Sequence, residues 1–159
     1  MLKMMGIVLL CVAVSLIGVV YCIKLKSRIK YLELLLKFSN QFSDEIRYHK
    51  ENIFKLFDKY GQRELAFLKE ISPGNISSAD ELHRVILSSG IDKRDVFEVA
   101  DFCMRLGASD TEGQISHCKY YKDRFSSMLS EARDEYLNKG KLYRTLMFFG
   151  AAALFIILL

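Results

Sequence analysis

The sequence predicts an all-α protein, in which a cytoplasmic antiparallel bundle of about six helices lies between an N-terminal and a C-terminal transmembrane helix. Both ends of the 159-residue chain are apolar and almost without charge. Between them, apolar residues recur at helical spacing, and no stretch alternates as a half-buried strand does. Basic residues gather beside both ends, whereas residues 31–138 hold 15 basic and 19 acidic residues. The hydrophobic share of 51% excludes intrinsic disorder.

The first predicted element is a transmembrane anchor over residues 1–23. Met4 to Ile23 is an uncharged run of 20 residues, which as a helix spans ~30 Å, the thickness of a bilayer's hydrocarbon core. A cleaved signal peptide would have its basic residues in front of a shorter apolar core, whereas here four follow the run. Lipoprotein processing is disfavoured because the bulky Tyr21 precedes Cys22. We therefore expect an uncleaved anchor.

Six helices are predicted in the cytoplasmic domain, residues 24–144. Glycines, a Ser-Pro-Gly-Asn turn and polar capping residues separate them. The predicted helices are 28–49, 52–60, 62–71, one from a capping box at Ser78 to Gly90, one from Asp92 to Gly107, and one from 110 onward. The short connections between them indicate an antiparallel bundle.

The last of these helices is the longest and is predicted to run unbroken toward the C-terminal apolar segment. It begins at a second capping-box pattern, Ser109-x-x-Glu112. A heptad template from Ile115 to Tyr143 finds apolar residues at all positions except Lys122 and Lys139. Such a stripe fits a face packed within the bundle, which is the favoured interpretation. It also fits an intermolecular coiled coil, so homo-oligomerisation stays open.

The final predicted element is a C-terminal transmembrane segment over residues 145–159. Fifteen uncharged residues cover only ~22 Å as a helix, so local thinning of the bilayer would have to complete the crossing. Leu142 and Tyr143 extend the segment if Arg144 reaches back to the interface. A half-inserted or an interfacial helix is the alternative, but no polar face is present to lie against water.

Basic residues form a collar beside each apolar end. These collar residues are Lys24, Lys26, Arg28, Lys30, Lys139, Lys141 and Arg144. Because basic residues stay on the cytoplasmic side, the central domain is predicted to be cytoplasmic and both termini outside. A nucleic-acid-binding protein would spread basic residues over its folded face, so we expect contact with membrane lipid and none with nucleic acid.

No catalytic group, metal site or cofactor is predicted. Cys103 and Cys118 lie at core-facing helix positions in a reducing compartment, and His117 beside them does not complete a four-ligand zinc site. No P-loop lysine follows Gly107. The two apolar runs contain no ionisable residue, which argues against a transporter. The sequence instead predicts a non-enzymatic protein with a binding surface. Some of the candidate residues for this surface must pack within the bundle. The candidate partner contacts are Tyr120, Tyr121, Lys122 and Arg124.

Over essentially its whole length, the chain resembles the stage III sporulation protein AB family. The most specific motif is Leu106-Gly107-x-Ser109-Asp110-x-x-x-Gln114, which leads into a long helix with an apolar tail. A second motif, Glu45-Ile46-x-Tyr48, lies in the first cytoplasmic helix. The apolar run that begins after Lys3 and ends at a basic collar is similar as well.

The resemblance implies a role in endospore formation, in a multi-protein channel between mother cell and forespore. It places the chain in the cell membrane on the mother-cell side, facing the forespore. The family's cytoplasmic part is similar to the platform protein of type II secretion and type IV pilus machines, whose soluble unit is a six-helix bundle. That protein links a cytoplasmic ATPase to parts across the membrane.

By this fold-level analogy the chain is expected to be a non-enzymatic platform or adaptor. Its expected partners are the other proteins of the sporulation channel, including a secretion-type ATPase, and membrane lipid. The alternative function is a membrane-anchored cytoplasmic sensor or regulatory binding module, with Tyr120 and Tyr121 as ligand contacts. A membrane-tethered enzyme would need a cleft with convergent titratable groups.

The motif at 106–114 has two interpretations. In the structural one, Gly107 takes the left-handed conformation and Ser109 or Asp110 caps the next helix. Gln114, one turn on, then braces the turn. In the other interpretation, the same residues contact a partner.

Overall fold

The computed structural model describes residues 2–48, 55, 65, 67–70 and 79–158. Within these residues the secondary structure consists of four helices and one single helical turn, and no strand is present. The elements are α1 (Leu2–Tyr48), the turn α2 (Phe67–Glu70), α3 (Ala79–Ser88), α4 (Val96–Met104) and α5 (Thr111–Leu158). The predicted all-α class is confirmed.

Over the described residues, the structure shows four helices and one helical turn where six bundle helices were predicted. The predicted anchor and the first bundle helix form one helix, α1, because no glycine or proline lies between Gly18 and Gly61 to interrupt it. The predicted unbroken run of the last bundle helix into the C-terminal apolar segment is confirmed, as the single helix α5. The predicted helix 52–60 lies outside the described residues except at Lys55, and α2 falls inside the predicted helix 62–71.

Over the described residues, no helix is long and apolar enough to cross a membrane. Residues 2–23 lie at the N-terminal end of α1, and residues 145–158 lie at the C-terminal end of α5. Neither predicted domain boundary, at 23/24 or at 144/145, coincides with a break in its helix.

The chain forms two compact units. Unit 1 comprises Met1–Ile29 and Ser130–Leu159, and unit 2 comprises Lys30–Leu129. In unit 1 the two helices approach closely at Gly18, where a Cβ would lie 2.8 Å from the Tyr143 ring. Leu25 and Ala132 are buried in the same unit. A glycine at this point allows the tyrosine ring to lie directly against the backbone of α1.

Unit 2 has an aromatic core centred on Phe102 of α4. Its ring centroid lies 6.1 Å from that of Phe38, 5.1 Å from that of Tyr121 and 5.3 Å from that of Phe125. Two of these pairs, with Phe38 and with Phe125, are edge-to-face, which is a favoured aromatic geometry. The buried Ser39 hydroxyl donates to the Cys118 carbonyl at 3.0 Å, so α1 and α5 are also joined by a hydrogen bond.

Candidate functional site

The turn between α4 and α5 is organised around the buried side chain of Gln114. The Gly107 N–H donates to Gln114 Oε1 at 3.0 Å. Gln114 Nε2 donates to the Arg105 carbonyl at 3.0 Å and to Ser109 Oγ at 2.9 Å. One amide therefore uses its acceptor and both donors on the turn. These bonds hold the turn together from its inner side, with Leu106 half-buried beside it.

Helix α5 is capped by Asp110. Its Oδ1 accepts the Gly113 N–H at 3.1 Å, while its carbonyl accepts the Gln114 N–H at 2.9 Å. The predicted capping box at Ser109 is therefore wrong by one position, because α5 begins at Thr111 and Ser109 Oγ accepts from Gln114 instead. Of the two caps that the motif left open, Asp110 is the one observed.

Gly113 is a residue of this turn that sequence reasoning missed. A Cβ there would lie 2.7 Å from both Asp110 Oδ1 and Ser109 Oγ. These atoms are held by the cap and by Gln114 respectively, so any larger residue would displace one of those bonds. The sequence signal for Gly113 was a glycine three residues after the cap, at the position where a capping box normally has Glu or Gln.

Gly107 adopts a φ of 81°. We therefore expect the stability lost on substitution to depend on how well the new residue tolerates a positive φ, and not on its size. No atom lies within 4 Å of a Cβ built on Gly107. Gly107→Asn should lower the free energy of unfolding of the full chain by less than about 1 kcal/mol, because asparagine tolerates the left-handed region. Gly107→Val should lower it by about 2 kcal/mol, because its branched Cβ clashes there. Equal losses in thermal unfolding would contradict this.

A series of polar contacts joins α4 to α5 in antiparallel register. Arg124 Nη2 lies 2.6 Å from Glu98 Oε1, and the Tyr121 hydroxyl donates to Asp101 Oδ2. The His117 ring stacks on Phe102 with centroids 5.5 Å apart. Its Nε2 donates to the Phe102 carbonyl at 3.1 Å, since a carbonyl can only accept. His117, Tyr121 and Arg124 therefore mark the side of α5 that faces α4.

The four predicted partner contacts on α5 do not form one surface. Tyr121 is buried in the core and bonded to Asp101, so its predicted role as a surface contact is wrong. Tyr120, Lys122 and Arg124 are exposed. Each helical residue turns the direction by ~100°, so Tyr120 and Arg124, four apart, share one side of α5. Lys122 points to a different side.

Asp101 and Tyr121 shift each other's pKa. The hydroxyl bond from Tyr121 is the largest influence that lowers the pKa of Asp101 below its ordinary value, and Arg105, 3.1 Å away, lowers it further. Burial is the main cause that raises the pKa of Tyr121, and the bond to the Asp101 carboxylate adds to it. The pair therefore favours an ionised aspartate beside a protonated tyrosine over the neutral pH range.

We expect Tyr121→Phe to weaken the acid dependence of stability. Because the folded pKa of Asp101 is lowered, its contribution is present above pH ~4 and is lost as pH falls through the folded pKa. The variant should be about 1–2 kcal/mol less stable at pH 7, and the gap should narrow as the pH drops below ~4. Thermal unfolding of the full chain between pH 7 and pH 2.5 measures this. A gap that is constant with pH, or equal to that of the exposed Tyr120→Phe, would contradict it.

The predicted collar residues differ in their surroundings. Lys24, Lys26, Lys30 and Lys141 are exposed, and the Arg144 side chain lies outside the described part of the structure. Arg28, in contrast, is buried and pairs with Glu135 of α5 at 3.4 Å. Arg28 is therefore not an exposed residue of the basic collar, because its guanidinium lies between the two helices against Glu135.

Lys139 belongs to the same cluster as Arg28. Its Nζ lies 2.6 Å from Glu135 Oε1 and 4.4 Å from the centroid of the Tyr21 ring, and the bond to Glu135 raises the pKa of Lys139. The Tyr21 hydroxyl also donates to Glu135, at 3.1 Å. Glu135 thus gathers three donors from the two helices of unit 1.

The second family motif lies near the C-terminal end of α1. Glu45 and Ile46 are half-buried there, and Tyr48 is exposed.

Two thiols lie in the core of unit 2. Burial raises the pKa of Cys103 to about 12 and that of Cys118 to about 11. Both thiols therefore stay protonated at neutral pH, and a protonated thiol is neither a nucleophile nor a metal ligand. In the described part of the chain, no group of three or more His, Cys, Asp and Glu side chains is placed to hold a metal ion.

Comparison with known proteins bears on the whole chain. The family model described as stage III sporulation protein AB matches residues 3–159. A search of curated proteins and a search of solved structures each found no match. The family match covers the turn around Gln114, the Glu45–Tyr48 motif and both apolar ends. The resemblance is confirmed, and the chain belongs to the stage III sporulation protein AB family.

Proposed function

We propose that this sporulation protein is a non-enzymatic platform or adaptor of a secretion-like channel complex between mother cell and forespore. In this role it links a cytoplasmic ATPase to membrane partners. The carrying observation is that α1 and α5 each continue from an apolar end of the chain into unit 2. A protein bound to unit 2 is thereby tethered through two unbroken helices. The analogy with secretion and pilus platform proteins supplies the ATPase.

The proposal places residues 4–23 and 145–159 across the mother-cell membrane that faces the forespore. The central domain, a helical bundle, then lies in the cytoplasm and both termini lie outside. The charge pattern supports this, because the exposed Lys24, Lys26 and Lys141 follow or precede these runs and favour the cytoplasmic side. They would lie near anionic lipid headgroups.

Labelling of intact cells with a membrane-impermeant maleimide tests this topology. A cysteine introduced at the N-terminal end by Leu2→Cys should react in intact cells. A cysteine introduced in α5 by Ser126→Cys, at an exposed position of unit 2, should react only after lysis. The unmodified chain, with its four native cysteines, is the control that sets the background: Cys103 and Cys118 are buried, whereas Cys22 is half-buried. Reaction of Ser126→Cys in intact cells would contradict the topology.

Co-purification of the full chain with the secretion-type ATPase of the same genome tests the adaptor role. The proposal predicts a stable complex. Because Arg124→Glu also breaks the ion pair with Glu98, its thermal unfolding is compared with that of the wild type; a folded Arg124→Glu variant should bind more weakly if the Tyr120 side of α5 is the contact. Lys122→Glu, on another side of α5, should leave the complex intact. Loss of binding only in Lys122→Glu would keep the role and move the surface. No complex with a well-inserted wild-type chain would overturn the platform role.

A further inference from the structure

Lys139 of α5 lies at the level of the last turn of the apolar run of α1. Its Nζ is 4.4 Å from the centroid of the Tyr21 ring and donates a hydrogen bond to the Tyr21 hydroxyl. Tyr21 lies two residues before the end of that run at Ile23, and tyrosine is enriched at the depth of lipid headgroups. With the apolar runs across the membrane, the Lys139 ammonium group therefore lies in the cytoplasmic headgroup layer.

One donor of the Lys139 ammonium group is not used by the described residues. The group carries three N–H donors. It donates to Glu135 Oε1 at 2.6 Å and to the Tyr21 hydroxyl, and the side chain is 38% exposed. The third donor can therefore bind an oxygen atom from outside the protein.

Lys24 lies beside this group on α1. It follows Tyr21 by three residues and precedes Arg28 by four, and residues so spaced share one side of a helix. Both of these neighbours contact Glu135 of α5, so Lys24 follows the side of α1 along which the two helices meet. Lys24 is exposed and makes no ion pair with another described residue. Its charge is therefore available to a ligand.

Positive charge exceeds negative charge around these two lysines. The two cations that bind Glu135 share a single carboxylate. The segments 24–29 and 130–144 of unit 1 together hold seven basic and three acidic residues. No acidic residue of the sequence precedes Glu33 and none follows Glu135. The part of unit 1 nearest the apolar ends thus keeps a net positive charge after its ion pairs are counted.

We propose that Lys24 and Lys139 bind the phosphate group of an anionic phospholipid. Their ammonium groups donate charge-assisted hydrogen bonds to the phosphate oxygens, and Tyr21 holds Lys139 in place. The exposed Val20 and Leu142 lie one turn nearer the apolar ends, where acyl chains of the same lipid contact them. A zwitterionic lipid binds less well, because the excess of positive charge repels its choline group. This inference rests on the membrane placement in the proposed function.

Retention of phosphatidylglycerol by the full chain provides the direct test. The chain is purified in detergent micelles, mixed with equal amounts of phosphatidylglycerol and phosphatidylcholine, and analysed by native mass spectrometry, which counts the bound lipids. Two lysines should make phosphatidylglycerol bind at least about tenfold more tightly than phosphatidylcholine. Equal retention of the two lipids would overturn the proposal. So would complete displacement of the lipid by excess inorganic phosphate, because the occupant would then be a soluble anion.

Two matched lysine substitutions distinguish a site from general attraction to anionic lipid. Lys24 and Lys26 are both exposed, and neither makes an ion pair with another described residue, so Lys24→Gln and Lys26→Gln should both fold. The two lysines lie ~200° apart around α1. General attraction is equal for either lysine, so we expect Lys24→Gln to weaken retention at least about threefold more than Lys26→Gln. Equal losses in the two variants would overturn the site.

Lys139→Gln tests the second lysine of the site. It should weaken the retention of phosphatidylglycerol at least as much as Lys24→Gln does, whereas Lys141→Gln, at an exposed position on another side of α5, should match Lys26→Gln. Because Lys139→Gln also loses the ion pair with Glu135, its thermal unfolding is compared with that of the wild type. A folded Lys139→Gln variant with wild-type lipid retention would contradict the proposal.

Carbonate extraction of membranes separates the failure of this site from the failure of the proposed topology. If carbonate leaves the chain in the membrane and the chain retains both lipids equally, the lipid site is wrong and the membrane placement stands. If carbonate extracts the chain but phosphatidylglycerol is retained selectively, the membrane placement is wrong and the lipid site stands.

Discussion

Gln114→Ala is expected to lower the free energy of unfolding of the full chain by about 2–3 kcal/mol. The buried amide makes three hydrogen bonds that close the turn between α4 and α5, to Gly107, Arg105 and Ser109. Each such bond contributes about 1 kcal/mol. The truncation also leaves a small cavity, while water can rebond part of the exposed turn. Thermal unfolding in detergent, followed by circular dichroism, measures the loss.

Two further variants separate the hydrogen bonds from the packing. Gln114→Met keeps the length of the side chain but none of its polar atoms, so it should lose nearly as much stability as alanine. Ser116→Ala, at an exposed position of the same helix turn, should change stability by less than about 0.5 kcal/mol. Wild-type stability in Gln114→Met would show that the side chain only fills space, and would contradict the bracing role.

Gly18→Ala is expected to destabilise the pairing of α1 with α5 in unit 1 by about 2 kcal/mol. A Cβ there would lie 2.8 Å from Tyr143 Cδ1 and 3.3 Å from its Cγ. The added Cβ would contact the rigid ring close to where it joins the Tyr143 backbone, so the helices themselves would have to shift. Overpacking of this kind costs about 1–3 kcal/mol. Small residues serve the same purpose where helices pack in membranes. The midpoint of unfolding by SDS in mixed micelles measures the change.

Gly6→Ala is the matched control because Gly6 lies in the same helix and nothing lies within 4 Å of its Cβ. It should be neutral or slightly stabilising, since alanine favours helix. Tyr143→Ala in the Gly18→Ala background should restore part of the loss. If Gly18→Ala behaves as Gly6→Ala does, the close contact between Gly18 and Tyr143 is not formed.

The helical class and the position of the turn could be predicted because they depend on neighbours in sequence. Residues 106–114 contain the glycine, the cap and the amide that the turn uses, and all lie within nine residues. Whether Ser109 or Asp110 caps α5 could not be predicted from the sequence, because both side chains can act as caps. Only the bonding of Ser109 to Gln114 decides between them.

Contacts between distant residues could not be predicted from periodicity. Arg28 has the same sequence context as the exposed collar lysines, yet Glu135, 107 residues away, draws it inside. Tyr121 similarly resembles its exposed neighbour Tyr120 in sequence. In the structure, however, Tyr121 is buried and its hydroxyl donates to Asp101. The predicted anchor and the first bundle helix likewise form one helix, because no glycine or proline interrupts α1 between Gly18 and Tyr48.

Flotation of the ATPase on proteoliposomes tests directly whether the chain links the ATPase to the membrane. The full chain is reconstituted in liposomes, mixed with the purified secretion-type ATPase of the same genome and floated through a density gradient. We expect the ATPase to float with these liposomes but not with empty ones, and we expect the chain to stay in the membrane after carbonate extraction. An ATPase that stays at the bottom while the chain floats, or a chain that carbonate extracts, would contradict it.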